Sequence, residues 1–471
     1  MASKPYTTPG VYVTEVSTLA PSVAQVPTAI PAFIGYVQTA LDDNGQPQDL
    51  SKGPVARRIS SMLDYQKYFG QGEWLQGTVK QVSPGQFTYV SDPAALITSN
   101  YLYYAVQHFY LNGGGDAYVI AVGTNSATHQ EADFIKGIDK ARELDEVTLL
   151  LAPEAVSLPN YYVNIAQYML TQAHDLGDRF ALIDTVPAVD HATAAQNLRD
   201  KVTATLDTLK YGAAYYPYLN TTLTPALDLD ATKQTAQKKK IALSGVKDSG
   251  GNPVATLDLL STGQAEYAQI MAFLALQSPV LPPSAAIAGV YAQTDGDRGV
   301  WKAPANVPLA AVSGPSVVVT ADQQGKLNID PVSGKSINAI RSFTGQGTLV
   351  WGARTLAGNS NEWRYINVRR LFNMVEESVK LATAFAVFEP NAPMTWLKVK
   401  SMIDTYLTNL WKEGALFGDT AEQAFYVAVG LGTTMTEDDI NNGYMNIKIG
   451  LAAVRPAEFI ELAFSHKSIS A

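Results

Sequence analysis

The stretch "TSNYLYYAVQHFYLNGGGDAYVIAVG", residues 98–123, decides the fold class. Leu102, Ala105, Val106 and Phe109 recur at helical spacing, Asn112-Gly113-Gly114-Gly115 stops the helix, and Ala117 to Val122 reads as a buried strand. The same order of helix, turn and strand returns twice downstream. "EADFIKGIDKARELDEVTLLLAPEA", from residue 131, predicts a helix around 131–142 and a strand at 147–152. "YYVNIAQYMLTQAHDLGDRFALIDTVP", from residue 161, predicts another such unit with its strand at 180–185. Three units of this kind argue for an α/β domain around a mainly parallel sheet, because each helix carries the chain back to start the next strand in the same direction.

Toward the N-terminus, "TTPGVYVTEV" (residues 7–16) places a Pro9-Gly10 turn before a β-branched run, Val11 to Val16. The chain that follows carries Pro21, Pro27 and Pro31 and offers no hairpin partner. The partner of this strand is therefore distant in the chain or belongs to another chain. The far end repeats the situation. In "YMNIKIGLAAV" (444–454), Met445, Ile447, Ile449 and Leu451 alternate with Tyr444, Asn446, Lys448 and Gly450. In "AEFIELAFSHK" (457–467), Ile460, Leu462 and Phe464 alternate with Phe459, Glu461 and Ala463, a second lone strand.

Between these ends, residues 219–278 break the α/β rhythm. They are polar, rich in Thr and Lys, and include Gly250-Gly251-Asn252-Pro253, as an inserted surface module or a long excursion would. "SINAIRSFTGQGTLVWGARTL" (336–356) reads as a strand pair. A helix over 367–388 follows, with Leu371, Met374, Val375, Ala382, Phe385 and Ala386 on one face and Glu389-Pro390 as its end. A second helix starts at Thr395 as N-cap, carries Trp396, Val399, Ile403, Leu407 and Leu410 as its stripe, and closes at Gly414.

At 471 residues and 46% hydrophobic content the chain can bury more than one core. Thirty-four basic against 43 acidic residues give a net charge of −9, and the only basic run is Lys238-Lys239-Lys240, so the electrostatic footprint of a nucleic-acid binder is missing. There is no cysteine, which excludes disulfides and thiol catalysis. The first twenty residues hold no continuous apolar segment, so no cleaved export signal is expected. The most apolar stretches, "VTLLLAP" and "QIMAFLALQSPVL", fall short of the ~18 residues of a membrane span.

Motifs that carry chemistry are mostly decoys. "SGKS" (333–336) ends like a phosphate loop, yet position 329 is Ile where the cradle needs Gly, so a polar turn is expected. Gly113-Gly114-Gly115 follows a helix and precedes a strand, the reverse of an anion-binding order. His108, His129, His174, His191 and His466 never cluster, and the pairs Asp228/Asp230 and Asp295/Asp297 lack calcium-loop spacing. No Gly-x-Ser-x-Gly elbow occurs, and "YLYYAVQHFY" and "YYPYL" have no basic interleaving. No catalytic, cofactor or metal site is expected. The alternative left open is a hydrolase-like or nucleotide-handling α/β enzyme with dispersed catalytic residues.

Eight stretches, in this order along the chain, resemble the contractile tail sheath family of myophage tails, R-type tailocins, extracellular contractile injection systems and type VI secretion machines. They are "TTPGVYVTEV", "VPTAIPAFIGYV", "AVQHFYLNGGGDAYVIAV", "PPSAAIAGVYAQTDGDRGVWKAPAN", "GQGTLVWGARTL", "EWRYINVRRLFNMVEESVKLATAFAVFEPN", "LWKEGALFG" and "GLAAVRPAEFIELAFSH". The resemblance implies an α/β, multidomain tail-sheath fold. Its central α/β domain and C-terminal α+β domain would be flanked by extended terminal strands that enter interchain sheets. The implied division is an arm at 1–20, the N-terminal part of the body at 21–97, the α/β domain at 98–218 and a surface insertion at 219–278. A return into the body at 279–335, a C-terminal domain at 336–455 and a second arm at 456–471 complete it.

On the same resemblance, Val11, Tyr12, Val13, Thr14, Glu15 and Val16 form one interchain strand. Phe459, Ile460, Glu461, Leu462, Ala463 and Phe464 form the other. The helix over 395–412 is implied to face an inner tube through Lys398, Lys400 and Lys412. The implied partners are further copies of the chain in stacked hexameric rings, an inner tube protein, and baseplate and terminator or cap proteins. Nucleic-acid contact, membrane insertion, cofactors and enzymatic activity are not implied. Assembly is expected in the cytoplasm, before incorporation into a phage tail or release as a tail-like particle. One chain holding both sheath halves suits a single-use particle rather than a recycled type VI machine.

Overall fold

Strand β1 (Pro31–Val37) is buried along its whole length, as a strand covered on both faces must be. Ala32, Ile34 and Tyr36 enter one apolar cluster, whereas Phe33 and Val37 enter another on the opposite side. The computed structural model describes residues 22–72, 77–91, 101–125, 128–224, 235, 238–239 and 241–461. The expected strand at Val11–Val16 and residues Leu462, Ala463 and Phe464 lie outside them.

The strands that follow are β2 (Val55–Ile59), β3 (Gly77–Ser83), β4 (Gln86–Ser91), β5 (Ala117–Thr124), β6 (Leu149–Leu151), β7 (Phe180–Asp184) and β8 (Gly212–Tyr216). Next come β9 (Leu219–Thr221), β10 (Ile241–Ser244), β11 (Val280–Leu281), β12 (Val307–Pro308) and β13 (Val312–Pro315). The last are β14 (Ile337–Phe343), β15 (Gly347–Val350), β16 (Phe425–Val429) and β17 (Ile447–Leu451).

Nine of them form one sheet in the order β12-β15-β14-β8-β7-β6-β1-β5-β2. Every pairing from β14 to β5 is parallel, and antiparallel strands close both edges. Helices Glu131–Arg142, Gln167–Leu176 and His191–Lys201 contribute Phe134, Ile138, Met169 and Leu198 to the cluster on one face. Tyr101–Leu111 and Ser284–Arg298 contribute Phe109, Ile287 and Val290 to the other. The helix-turn-strand units expected between 98 and 185 all appear, each within a few residues of its expected bounds. Gly113, at φ +90°, supplies the left-handed conformation that ends the first helix.

The strand pair of 336–356 does not open a separate domain: Ile337, Asn338 and Ala339 of β14 register beside Ala214, Tyr215 and Tyr216 of β8, extending the large sheet. The chain divides instead into a larger unit, Val26–Glu377 with Ala453–Ala471, and a smaller one, Ser378–Ala452 with the stretch ending at Gln25. Helix Ile366–Thr383 carries the chain from the first into the second. The stretch 219–278 packs together with residues 77–91. β10 pairs with β3, whose other partner is β4, and Val79 shares a small core with Ile241, Val254, Leu257 and Ile270. Residues 77–91 and 241–277 thus complete one module.

Candidate assembly interface

In the smaller unit, β16 and β17 form a two-stranded antiparallel sheet that no third strand joins among the described residues. Phe425, Val427 and Val429 lie opposite Leu451, Ile449 and Ile447, so every pair on one face is apolar. Tyr426 opposite Gly450 and Ala428 opposite Lys448 make the other face, with Tyr426 and Lys448 exposed. The Tyr426 ring lies over Gly450, so close that a Cβ there would stand 2.1 Å from it. A two-stranded ribbon is marginal by itself. Outer edges that no described strand pairs are templates for further strands.

Helix Pro393–Lys412 packs against β16 and buries Val399, Met402, Ile403, Tyr406, Leu407 and Leu410. Its N-cap is Ala392 and not Thr395, because Pro393, which has no N–H to leave unsatisfied, takes the first helical position. The preceding helix also ends earlier than 388, at Thr383, with one further turn over Ala384–Ala386. Lys398 is exposed and stands 4.5 Å above the Phe385 ring. Lys400 is half-buried and paired with Asp404 at 2.6 Å. Lys412 is exposed in the last turn. At 3.6 residues per turn, Lys398 and Lys412 lie about 40° apart around the axis, whereas Lys400 lies roughly 120° or more from both. The helix therefore presents two lysines on one side and keeps the third apart.

Phe459, Ile460 and Glu461 are exposed and pair with no strand among the described residues. The residue just before them is firmly held. Glu458 accepts from Arg354 at 2.6 Å and 2.9 Å, from the Asn328 amide at 2.7 Å and from the Tyr365 hydroxyl at 3.1 Å. Burial alone would raise the Glu458 carboxyl, but these bonds, Arg354 first, hold it below the usual carboxylate range. A matching contact holds the other end. Asp295 pairs with Arg370 at 2.5 Å and 2.9 Å and accepts from the Thr28 hydroxyl at 2.5 Å, while Arg370 donates to the Thr28 carbonyl at 2.9 Å. Asp295, considered above for calcium, is thus engaged by an arginine. None of these anchors was read from sequence; the one available signal was Arg369-Arg370 set among apolar residues of a helix that must bury part of that face.

The decoys resolve structurally. Lys335 of "SGKS" donates to the Arg199 carbonyl at 2.5 Å, and Ser333 folds back onto Asp330 at 2.5 Å. Among the described residues no group of three His, Asp or Glu is placed to hold a metal ion. No described helix is long and apolar enough to cross a membrane.

Residues 359–466 match the family described as phage tail sheath C-terminal domain. The tail sheath protein of Vibrio phage KVP40 is 32% identical over 137 residues, covering 29% of this chain and 20% of that protein. The matched stretch thus spans a fifth of that relative's length. The helical sheath of the anti-feeding prophage in its contracted state is 34% identical, with a TM-score of 0.64 over 98% of this chain and 100% of that one. The sheath complex of an extracellular contractile injection system, PVC, also contracted, is 32% identical, with a TM-score of 0.63 over 99% of each chain.

Proposed function

The chain belongs to the contractile tail sheath family, and from that premise we propose that it is the repeating subunit of a sheath built from stacked hexameric rings around an inner tube. The β16–β17 ribbon carries this reading, because it is a sheet with an apolar face and two edges that no described strand pairs. Strand Val11–Val16 of one neighbour and strand Phe459–Phe464 of another complete it by pairing along those edges. Each interchain hydrogen bond contributes a net ~0.5–1.5 kcal/mol, so the mesh is held by many weak bonds repeated around every ring.

Such a mesh keeps its connections while the bodies of the subunits turn. The work of contraction comes from the difference in burial between two packings of the same subunits. It drives the tube through a target cell envelope, with baseplate and terminator proteins as the remaining partners. Lys398 and Lys412, on one side of helix Pro393–Lys412, face the tube. Assembly takes place in the cytoplasm, and the product is a phage tail or a released tail-like particle.

The absence of native cysteine makes disulfide trapping a clean test. Val13→Cys or Leu462→Cys is combined in turn with Tyr426→Cys, Ala428→Cys, Lys448→Cys and Gly450→Cys. Assembled protein should give an intermolecular ladder on oxidation for at least one pairing with each arm. Disulfides confined to single chains, or none in assembled sheath, overturn the strand-exchange reading.

A further inference from the structure

The two anchors described above lie at opposite ends of one short segment. Arg354 pairs across to Tyr365, with Thr355 N–H donating to the Arg364 carbonyl at 2.8 Å and Ile366 N–H to the Ala353 carbonyl at 3.0 Å. Arg370 follows in the first turns of helix Ile366–Thr383. Between them, Asn367 donates to the Val454 carbonyl at 3.2 Å and to the Trp301 carbonyl at 2.8 Å. One pinned ribbon therefore grips the chain at Thr28, at Val454 and at Glu458.

The chemistry of the grip is unusual for a merely structural contact. Arg354 and Arg370 are both about 3% exposed, and burying a charged pair yields little net stability compared with apolar packing. What a two-pronged arginine–carboxylate pair adds is direction, because the planar fork fixes angle as well as distance. Slack differs between the two ends. The proposed interchain strand over 459–464 would begin one residue after Glu458. Between Val16 and Thr28 the chain has enough residues to reach about 40 Å when extended.

We propose that the ribbon Arg354–Arg370 is a common root for both arms, so that pull on one arm passes to the other through Glu458, Arg354, Arg370 and Thr28. Glu458, Arg354 and Arg370 act as positioning residues: they set where the arms leave the body and do not themselves enter the interchain sheet. The proposal rests on the reading of the arms as interchain strands.

The test compares assembled full-length sheath with Glu458→Ala, Tyr365→Phe and a chain lacking residues 459–471. Sheaths are sheared under one fixed condition and their lengths measured by negative-stain microscopy, and the unassembled chains are melted in parallel. The root predicts Glu458→Ala sheaths about tenfold shorter than wild type after shear, since the directional pair is gone. Tyr365→Phe should be intermediate, with its unassembled chain melting like wild type, whereas unassembled Glu458→Ala, which leaves the buried Arg354 without its carboxylate, melts lower. Equal shear resistance in wild type, Glu458→Ala and Tyr365→Phe overturns the root while leaving the arm reading intact. A Glu458→Ala chain that loses its fold before assembly, with Tyr365→Phe sheaths at full length, overturns it as well. Normal sheaths from the truncated chain would instead remove the arm reading beneath it.

Discussion

Asp184 accepts hydrogen bonds from both the backbone N–H and the hydroxyl of Ser284, at 2.8 Å and 2.5 Å, where β7 ends and helix Ser284–Arg298 begins. Both residues are buried. Burial pushes the Asp184 carboxyl up to about 7, against the downward pull of the two Ser284 bonds. An unfolded chain ionises this group near 3.8. The stability it contributes is therefore complete below that value, lost as pH rises to about 7, and flat above. Asp184→Asn should abolish this slope. The urea midpoint of the variant, relative to wild type, should rise between pH 4 and 7 and then hold constant; a pH-independent difference contradicts the assignment.

His108 and His129 act in the opposite sense. Burial holds each down to about 4, opposed in His108 by the Ala310 carbonyl beside it. With an unfolded value near 6.5, each leaves stability intact above that pH and removes about 1.4 kcal/mol per pH unit as pH falls toward 4. His129 stacks on Tyr36 with ring centroids 4.0 Å apart. His129→Phe keeps the stack and removes a protonation site, so its urea midpoint should fall less than wild type between pH 6.5 and 4. An unchanged acid slope would count against burial as the cause.

Two glycines of helix Ser284–Arg298 should respond in opposite directions. A Cβ at Gly289 would stand 2.5 Å from the Phe109 carbonyl and 2.8 Å from Asn112 Cβ, where this helix crosses Tyr101–Leu111. Gly289→Ala should cost about 1–3 kcal/mol by forcing the helices apart. At Gly296 a Cβ meets nothing within 4 Å, so Gly296→Ala should gain up to ~1 kcal/mol from helix propensity. Chemical denaturation of both variants decides, and a stabilising Gly289→Ala would refute the close-approach argument.

Charge reversal on helix Pro393–Lys412 separates its lysines. Lys398→Glu with Lys412→Glu should block co-assembly with the inner tube, whereas Lys400→Glu, which disturbs the Asp404 pair, should leave it intact. Cosedimentation of sheath with tube is the measurement. Retained cosedimentation in the double variant removes these lysines from the tube contact.

The parallel sheet was legible from period alone, because a strand buried on both faces and a helix with an apolar stripe are each encoded within a dozen neighbouring residues. Leu371, Met374 and Val375 were readable as core for the same reason, and all are buried. What escaped is long-range. Nothing local to residues 77–91 announces that β3 will pair with β10, and nothing in "ARTL" announces that Arg354 will meet a carboxylate at position 458. Ala392 and Pro393 displaced Thr395 because proline's fixed φ and missing N–H suit the first turn better than a hydroxyl two residues further in. The lysines were grouped by sequence proximity, whereas the helical turn separates Lys400 from the other two.

The most direct measurement is negative-stain electron microscopy of the purified, tag-free chain beside a variant lacking residues 1–16. The account predicts hollow, striated cylinders from the full chain and folded, unassembled protein from the truncated one. Cylinders of the same form from both would contradict the exchange of terminal strands as the bond that holds the sheath together.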